Sequence, residues 1–170
     1  MKKTAYVIGN NTQHSISPHI FKYWFNQNNI NGEYLHKQIQ PKNFNQEIDK
    51  ILTETNVCGF NVTIPYKELI INKLDKIDVH SKKIGAVNCV TKKNNHWCGK
   101  NTDWTGFIKS IKNENKFLNK DIALVIGYGG AAKAIIYALK KEGFGEIRVF
   151  NRTVEKIKHI EKKIGAIPLE

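Results

Sequence analysis

The sequence predicts an N-terminal α/β domain with a mainly parallel sheet, followed by a second, incomplete α/β domain. Short apolar strands alternate with amphipathic helices along the chain, which is typical of parallel strands joined by crossover helices. A polar stretch, Lys112–Lys116, separates two series of such elements. Beyond it, a glycine-rich segment lies between a strand and a helix, as in phosphate-binding turns.

The first series begins with a short buried strand and continues as alternating helices and strands. The second helix places Phe44, Ile48 and Ile51 on one face, which is the helical period. The predicted elements are strands Ala5–Gly9, Glu33–Ile39 and Val57–Ile64; helices Pro18–Asn28, Asn43–Thr53, Pro65–Leu74 and one from Asp103; and a hairpin of Ala86–Thr91 with His96–Lys100.

The second series has the β-α-β-α-β pattern of the first half of a Rossmann-type nucleotide-binding domain. Its elements are strand Ile122–Ile126, helix Ala131–Glu142, strand Ile147–Phe150, helix Val154–Ile164 and the apolar segment Ala166–Leu169. We therefore predict a domain at 1–112 and half of a second one at 117–170. Because a doubly wound dinucleotide site is normally built from two halves, we expect the chain to be a fragment of a longer protein.

Composition favours an ordinary folded protein over a nucleic-acid-binding one. The chain has 170 residues, of which 41% are apolar and 25% charged, and a formal net charge of +12. Of its 27 basic residues only Arg148 and Arg152 are Arg, whereas base and phosphate readers usually rely on the guanidinium fork. The lysines are scattered without interleaved aromatics, so we predict no nucleic-acid partner.

Other features of the sequence point to a reduced, cytoplasmic protein. The three cysteines are odd in number and form no CxxC pair, which argues against a disulfide framework or a structural zinc site. The six histidines show no metal-ligand spacing, so we predict no metal. No apolar run reaches the roughly 18 residues of a membrane span, and the N-terminus lacks a signal peptide's apolar stretch.

The glycine-rich turn is the strongest candidate for a ligand site. It follows an apolar strand and opens an apolar helix, which gives a pyrophosphate close backbone N–H groups and a positive helix end. Its residues are Gly127, Tyr128, Gly129, Gly130 and Ala131, with Ala132 in place of the third glycine of GxGxxG. A turn of this kind that binds no ligand is the alternative.

The end of the next strand indicates which dinucleotide would bind. An NAD site usually has Asp or Glu there to bond the ribose hydroxyls, whereas this chain has Asn151, Arg152 and Thr153. Arg152 can pair with a 2′-phosphate, and Thr153 can cap the following helix. The sequence therefore favours NADP over NAD, with a plain helix start as the alternative.

Four further residues of the first domain could carry chemistry. Ser17 before Pro18 is typical of a helix N-cap, and Ser15 adds a second hydroxyl for a small carboxylate. Lys67 is predicted in the first turn of a helix, whose positive end disfavours the ammonium form and favours proton transfer. Asp103 would orient Lys67, although a solvated amine and a favourable first-turn charge explain these two residues equally well.

These motifs, taken in order along the chain, resemble the shikimate dehydrogenase family. They are His14–Pro18, Asn61–Lys67, Gly85–Asn88, Asn101–Asp103, Gly127–Ala131 and Asn151–Thr153. The resemblance implies reversible, NADP-linked reduction of 3-dehydroshikimate to shikimate, in the chorismate pathway to aromatic amino acids. It also implies a small-molecule substrate, no membrane partner, and a monomer or a homodimer.

The resemblance also assigns a role to each site residue. Ser15 and Ser17 would bind the substrate carboxylate, and Lys67 would be the acid/base group with Asp103 as its partner. The ring hydroxyls would contact Thr63, Lys67, Asn88 and Asp103. The pyrophosphate would contact Gly127, Tyr128, Gly129, Gly130 and Ala131. The 2′-phosphate would contact Asn151, Arg152, Thr153 and Lys156. Tyr128 departs from the family, which usually has a small residue there.

Two other functions stay open. One is a quinate/shikimate dehydrogenase that uses NAD, against which Asn151 and Arg152 argue. The other is a binding module that retains the substrate domain without catalysis, against which the presence of both Lys67 and Asp103 argues.

Overall fold

A computed structural model of the protein describes residues 2–112 and 122–169. They group into two compact units: the described residues up to Lys82 with Ala86–Lys100, and Lys83–Gly85 with the described residues from Asn101 onward. The first unit contains β1 (Lys3–Gly9), α1 (Ser17–Gln27), β2 (Gly32–Gln38), α2 (Phe44–Thr53), β3 (Val57–Val62), β4 (Lys76–Ile77), most of α3 (Val79–Ile84), β5 (Cys89–Lys93) and β6 (His96–Lys100). The second contains α4 (Asp103–Lys112), β7 (Ile122–Ile126), α5 (Gly130–Lys141), β8 (Glu146–Phe150), α6 (Ile160–Ile164) and β9 (Ile167–Leu169).

The first unit is built on a six-stranded sheet in the order β2-β1-β3-β5-β6-β4. Strand β1 lies between β2 and β3 and is parallel to both, whereas β5 is antiparallel to β3 and to β6. Asn94 and Asn95 connect β5 and β6 with φ angles of 48° and 61°. Asparagine tolerates this left-handed region, which two-residue hairpin turns require.

Apolar side chains cover both faces of this sheet. On one face, Phe44, Ile48 and Ile51 of α2 pack in one cluster with sheet residues such as Ile8 and Phe60. On the other face, Phe21 of α1 stacks on Tyr34 of β2, with ring centroids 4.0 Å apart. The helical spacing of the α2 residues explains why this short helix forms against the sheet.

The second unit has a three-stranded parallel sheet in the order β7-β8-β9. Helix α5 follows β7, and α6 follows β8, so each parallel strand is joined to the next through a helix. The core of this unit includes Val125, Ile136, Val149 and Ile160. This is the predicted β-α-β-α-β arrangement, and the α/β fold class is confirmed.

Two predicted helices are wrong. After β3 the chain makes turns and then a 3-10 helix at Leu69–Lys73, because the Lys67 carbonyl accepts a hydrogen bond from the Val87 N–H at 2.7 Å. That carbonyl therefore pairs with the segment just before β5, which is distant in the sequence. The helix predicted at Val154–Ile164 is divided into a 3-10 turn, Val154–Lys156, and α6.

Three smaller differences concern element boundaries and missed elements. Strand β5 begins at Cys89, three residues later than predicted, and the Val87 N–H just before it donates to the Lys67 carbonyl in the turn after β3. Strand β4 has two residues and α3 has six, and these lengths give no periodic signal in a sequence. Helix α1 begins at Ser17, so its N-cap is Ile16, which makes no side-chain cap bond, and the N-cap predicted at Ser17 is wrong.

Helix α4 groups with the second unit, although the sequence places it before the predicted boundary. Trp104 of α4 meets Tyr137 of α5 edge to face at 5.4 Å, and Phe107 packs against the core of that unit. Asn113–Lys116, most of the predicted boundary, lies outside the described residues, so the division into 1–112 and 117–170 stays a prediction. No described helix is long and apolar enough to cross a membrane.

Candidate functional site

Predicted substrate residues lie at the edge of the first sheet where its parallel strands end. Strand β3 ends at Val62, and Thr63 follows it directly. Asn88 precedes β5, which is antiparallel to β3, so the start of β5 lies beside the end of β3. A hydrogen bond from the Val62 N–H to the Asn88 carbonyl, 2.9 Å long, joins the two segments. The fold therefore brings Thr63 and Asn88 to one place.

The loop after β1 holds the two serines. The Ser15 N–H donates to the Thr12 carbonyl at 3.0 Å, which turns the chain back before α1. The Ser15 hydroxyl donates to the Ser17 hydroxyl oxygen at 3.1 Å and accepts from the Ser17 N–H at 3.3 Å. The two hydroxyls thus form one polar group at the start of α1. Ser15, rather than Ser17, contacts a backbone amide of this helix start.

Lys67 lies in the turn after β3 and is held by its neighbours. Tyr66 is fully buried, and its hydroxyl donates to the Ile39 carbonyl at 2.6 Å. Its N–H donates to the Thr63 carbonyl at 3.0 Å. The helix-end argument for Lys67 is wrong because no α-helix begins there. The backbone of Lys67 is instead held by the preceding buried Tyr66 and by the hydrogen bond from the Val87 N–H to the Lys67 carbonyl.

A short polar chain, missed by sequence reasoning, leads to Asn88. The Tyr34 hydroxyl donates to Asn61 Oδ1 at 2.8 Å, and Asn61 Nδ2 donates to the Asn88 carbonyl at 3.2 Å. Burial raises the pKa of the Tyr34 phenol, which therefore stays protonated as a donor. Burial likewise raises the pKa of the neighbouring Cys89 thiol. The one feature of the sequence that could have indicated these hydrogen bonds is the polar Asn61 within an apolar strand.

Gly9 ends β1 at a point where no side chain fits. A Cβ at this position would lie 2.5 Å from Thr63 Cγ2 and 3.2 Å from Thr12 Cγ2. The glycine therefore lets the serine loop and the Thr63 segment approach the end of β1.

If shikimate binds as the resemblance implies, we expect Gly9→Ala to lower its affinity about tenfold, because the methyl group must displace Thr63. Titration calorimetry measures this loss. Gly106→Ala is the matched control, since a Cβ there meets no atom within 4 Å. Equal affinities of the Gly9 variant and the original protein would show that Thr63 does not contact the ligand.

Asp103 is the first residue of α4, in the second unit. Its N–H donates to Asn101 Oδ1 at 3.0 Å, and Asn101 is buried. This hydrogen bond holds the backbone of Asp103 at the start of α4. Its pairing with Lys67, in the first unit, stays a prediction.

The glycine turn has the geometry that a pyrophosphate needs. Gly127 has a φ of +102°, in the left-handed region that favours glycine. A Cβ at Gly127 or Gly129 would meet no atom within 4 Å, so there is open space beside the backbone. Helix α5 begins at Gly130, and no side chain of the described residues caps it. Its free N–H groups fit an anion.

Asn151 ties this turn to the end of β8. The Tyr128 N–H donates to Asn151 Oδ1 at 3.0 Å, and Asn151 Nδ2 donates to the Thr153 carbonyl at 2.7 Å. The structure therefore brings the two predicted cofactor segments together. Arg152 and Lys156 are exposed near it. The capping role predicted for Thr153 is wrong, because only a three-residue 3-10 turn follows and the hydroxyl makes no cap bond among the described residues.

Tyr128 is partly buried against the core of the second unit. Lys133 Nζ lies 5.2 Å from the centroid of its ring, a cation–π distance. The Tyr128 ring thus lies against Lys133 of α5, while the backbone N–H of Tyr128 donates to Asn151. Among the described residues, no group of three or more His, Cys, Asp or Glu could hold a metal ion.

Comparison with known proteins agrees with this geometry. A family model described as the shikimate dehydrogenase substrate binding domain matches residues 7–90, and one described as shikimate / quinate 5-dehydrogenase matches 109–170. The shikimate dehydrogenase (NADP(+)) of Dictyoglomus thermophilum is 43% identical over 159 residues, which cover 93% of this chain and 57% of that protein.

Solved structures give the same result. The crystal structure of shikimate dehydrogenase from Aquifex aeolicus matches with a TM-score of 0.91 and 37% identity, covering 99% of this chain and 63% of that one. The Thermus thermophilus enzyme in complex with NADP(H) and shikimate matches with a TM-score of 0.85 and 28% identity, with the same coverage. The chain thus spans 57% to 63% of the length of these three proteins. With both family models matching in order and relatives this similar, the chain belongs to the shikimate dehydrogenase family.

Proposed function

We propose that this chain carries the substrate-binding part, and the first half of the NADP-binding part, of an enzyme that reversibly reduces 3-dehydroshikimate to shikimate. The observation that carries the proposal is the meeting of Thr63, Lys67 and Asn88 at one edge of a sheet, beside the serine loop. We assign the substrate-binding domain to 1–112 and the nucleotide-binding half to 117–170. The product would feed the chorismate pathway to aromatic amino acids.

The substrate carboxylate would lie at the serine loop. Ser15 and Ser17 present two hydroxyls 3.1 Å apart at the N-terminus of α1, where the helix dipole favours an anion. The ring hydroxyls would then contact Thr63, Lys67, Asn88 and Asp103. The net charge of +12 also attracts anionic substrates to the protein.

Lys67 would handle the proton of the reaction. Its Nζ would donate a proton to the carbonyl oxygen as that oxygen becomes a hydroxyl, and would take the proton back in the reverse direction. Asp103 would orient the ammonium group by charge. NADPH, when bound, supplies the hydride. The buried Tyr66 ring and the hydrogen bond from the Val87 N–H hold the backbone of Lys67, which would limit the positions that its amine can take.

The cofactor residues fit a dinucleotide phosphate. The open backbone at Gly127 and Gly129 and the uncapped start of α5 suit the pyrophosphate, which would extend along Tyr128, Gly130 and Ala131. The 2′-phosphate would contact Arg152, Thr153 and Lys156, with Asn151 joining the two parts.

Arg152 gives a direct test of the choice between NADP and NAD. We expect Arg152→Ala to raise the KM for NADP about tenfold or more and to leave the KM for NAD nearly unchanged, because only NADP carries the phosphate that the guanidinium pairs with. Steady-state kinetics with both cofactors measure this. Arg148→Ala, on the exposed side of β8, is the matched control. An equal change for both cofactors would favour the NAD-using quinate/shikimate class.

The experiment that tests the whole proposal is shikimate-dependent reduction of NADP⁺, followed by the absorbance of the reduced nicotinamide in the whole natural protein. A clear rate supports reaction, substrate and cofactor together. Shikimate binding without turnover would favour the non-catalytic binding module. Absence of shikimate binding would contradict the proposal. We further expect a cytoplasmic monomer or homodimer without nucleic-acid or membrane partners, and association with DNA or RNA that weakens steeply with salt would contradict this.

A further inference from the structure

We propose that Asn61, held by Tyr34, is a positioning residue that fixes the backbone of Asn88 and thereby the side chain that meets a substrate hydroxyl. The inference rests on the proposed function, which assigns Asn88 to the substrate. Neither Asn61 nor Tyr34 would touch the ligand in this arrangement. They would act through Asn88 alone.

The strand register explains how two residues on non-adjacent strands meet. Tyr34 of β2 pairs with Ala5 of β1, and Asn61 of β3 pairs with Val7 of the same strand. Because side chains two residues apart share a face, Tyr34 and Asn61 lie on one face with β1 between them. The small Ala5 side chain leaves room for the phenol to cross β1. The hydroxyl then reaches Asn61 Oδ1 at 2.8 Å.

This contact sets the orientation of the Asn61 amide. With Oδ1 accepting from the phenol, Nδ2 is directed to the Asn88 carbonyl, 3.2 Å away. The same carbonyl accepts from the Val62 N–H at 2.9 Å, and the Asn88 N–H donates to the Lys100 carbonyl at 3.1 Å. Both polar groups of the Asn88 backbone are thus held, on two sides by β3 and on the third by β6.

Tyr34 is itself rigid. Its side chain is buried and stacks on Phe21, with the ring planes 5° apart. Phe21 belongs to α1, the helix that begins at Ser17. The Tyr34 ring therefore contacts α1, the helix that begins at Ser17, the proposed partner of the substrate carboxylate. Through Asn61, the Tyr34 hydroxyl is also linked to Asn88, the proposed partner of a ring hydroxyl. Burial raises its pKa, so the donor persists at neutral pH.

The test compares Asn61→Asp in two backgrounds. Asn61→Asp keeps the side-chain shape but replaces the donor to Asn88 with an oxygen, and we expect shikimate affinity to fall about tenfold. In an Asn88→Ala background the same change should alter affinity less than about twofold, because the positioned side chain is gone. Asn72→Asp, at an exposed position in the 3-10 helix, controls for the added negative charge. Tyr34→Phe, which keeps the ring stacking, should show the same dependence on Asn88.

A second readout needs no ligand. Amide hydrogen exchange at Val62 and Asn88 should be faster in Asn61→Asp than in the original protein and unchanged in Asn72→Asp. Equal losses of affinity in both backgrounds, or unchanged exchange, would overturn the inference. If the original protein binds no shikimate, the proposed function fails, and the exchange rates still decide whether Asn61 holds Asn88.

Discussion

Replacing Lys67 with alanine should lower kcat for shikimate oxidation roughly 100- to 10,000-fold, the range typical for loss of a general acid or base. The KM for shikimate should change far less, since Ser15, Ser17 and Asn88 would still bind the ligand. Steady-state rates and titration calorimetry on the whole natural protein separate the two effects.

Lys42→Ala is the matched control for this experiment. Lys42 is exposed in the 3-10 turn Pro41–Asn43, away from the proposed ligands in the sequence, and its loss removes the same positive charge. We expect its kcat to equal that of the original protein. If Lys67→Ala kept full activity, or if the control lost as much, proton transfer by Lys67 would be refuted.

Replacing Tyr66 with alanine should lower the free energy of unfolding of the first unit by about 3–5 kcal/mol, the cost typical of removing a buried aromatic ring. The ring is fully buried and stacks on Phe44, with centroids 4.5 Å apart. Tyr66→Phe keeps that packing and removes the hydrogen bond to Ile39, so it should cost about 1–3 kcal/mol. Urea unfolding followed by the fluorescence of Trp97, in the same core, measures both.

Tyr23→Phe serves as the control for the lost hydroxyl, because Tyr23 is 61% exposed. We expect its stability to match that of the original protein within about 0.5 kcal/mol. A Tyr66→Ala variant of unchanged stability would show that the turn carrying Lys67 is held by other contacts, and the account of that turn would then be wrong.

Local patterns determined most of the second unit in advance. Strand β7 has the predicted bounds, because five consecutive apolar residues between Asp121 and Gly127 leave little choice. The glycine turn was equally clear, since a left-handed φ at Gly127 requires that residue type. The break between Val154–Lys156 and α6 was missed, as one apolar face runs through both.

The turn at Lys67 shows where local patterns fail. A proline followed by Tyr66, Lys67 and apolar residues fits a helix start equally well, and the partner of the Lys67 carbonyl is Val87, twenty residues further on. No window of sequence around Lys67 contains that information. The tertiary contact decided the backbone, as it commonly does where local propensity is weak.

The fold class and the two series of elements can be predicted from the sequence alone, because they depend on spacing within short segments. The hydrogen bonds from Tyr34 to Asn61 and from Asn61 to Asn88, and the close approach of Thr63 to Gly9, are visible only in three dimensions. The physical reason is the same in each case. These contacts join segments distant in sequence, and strand order and register, rather than local propensity, bring their atoms within hydrogen-bond or van der Waals distance.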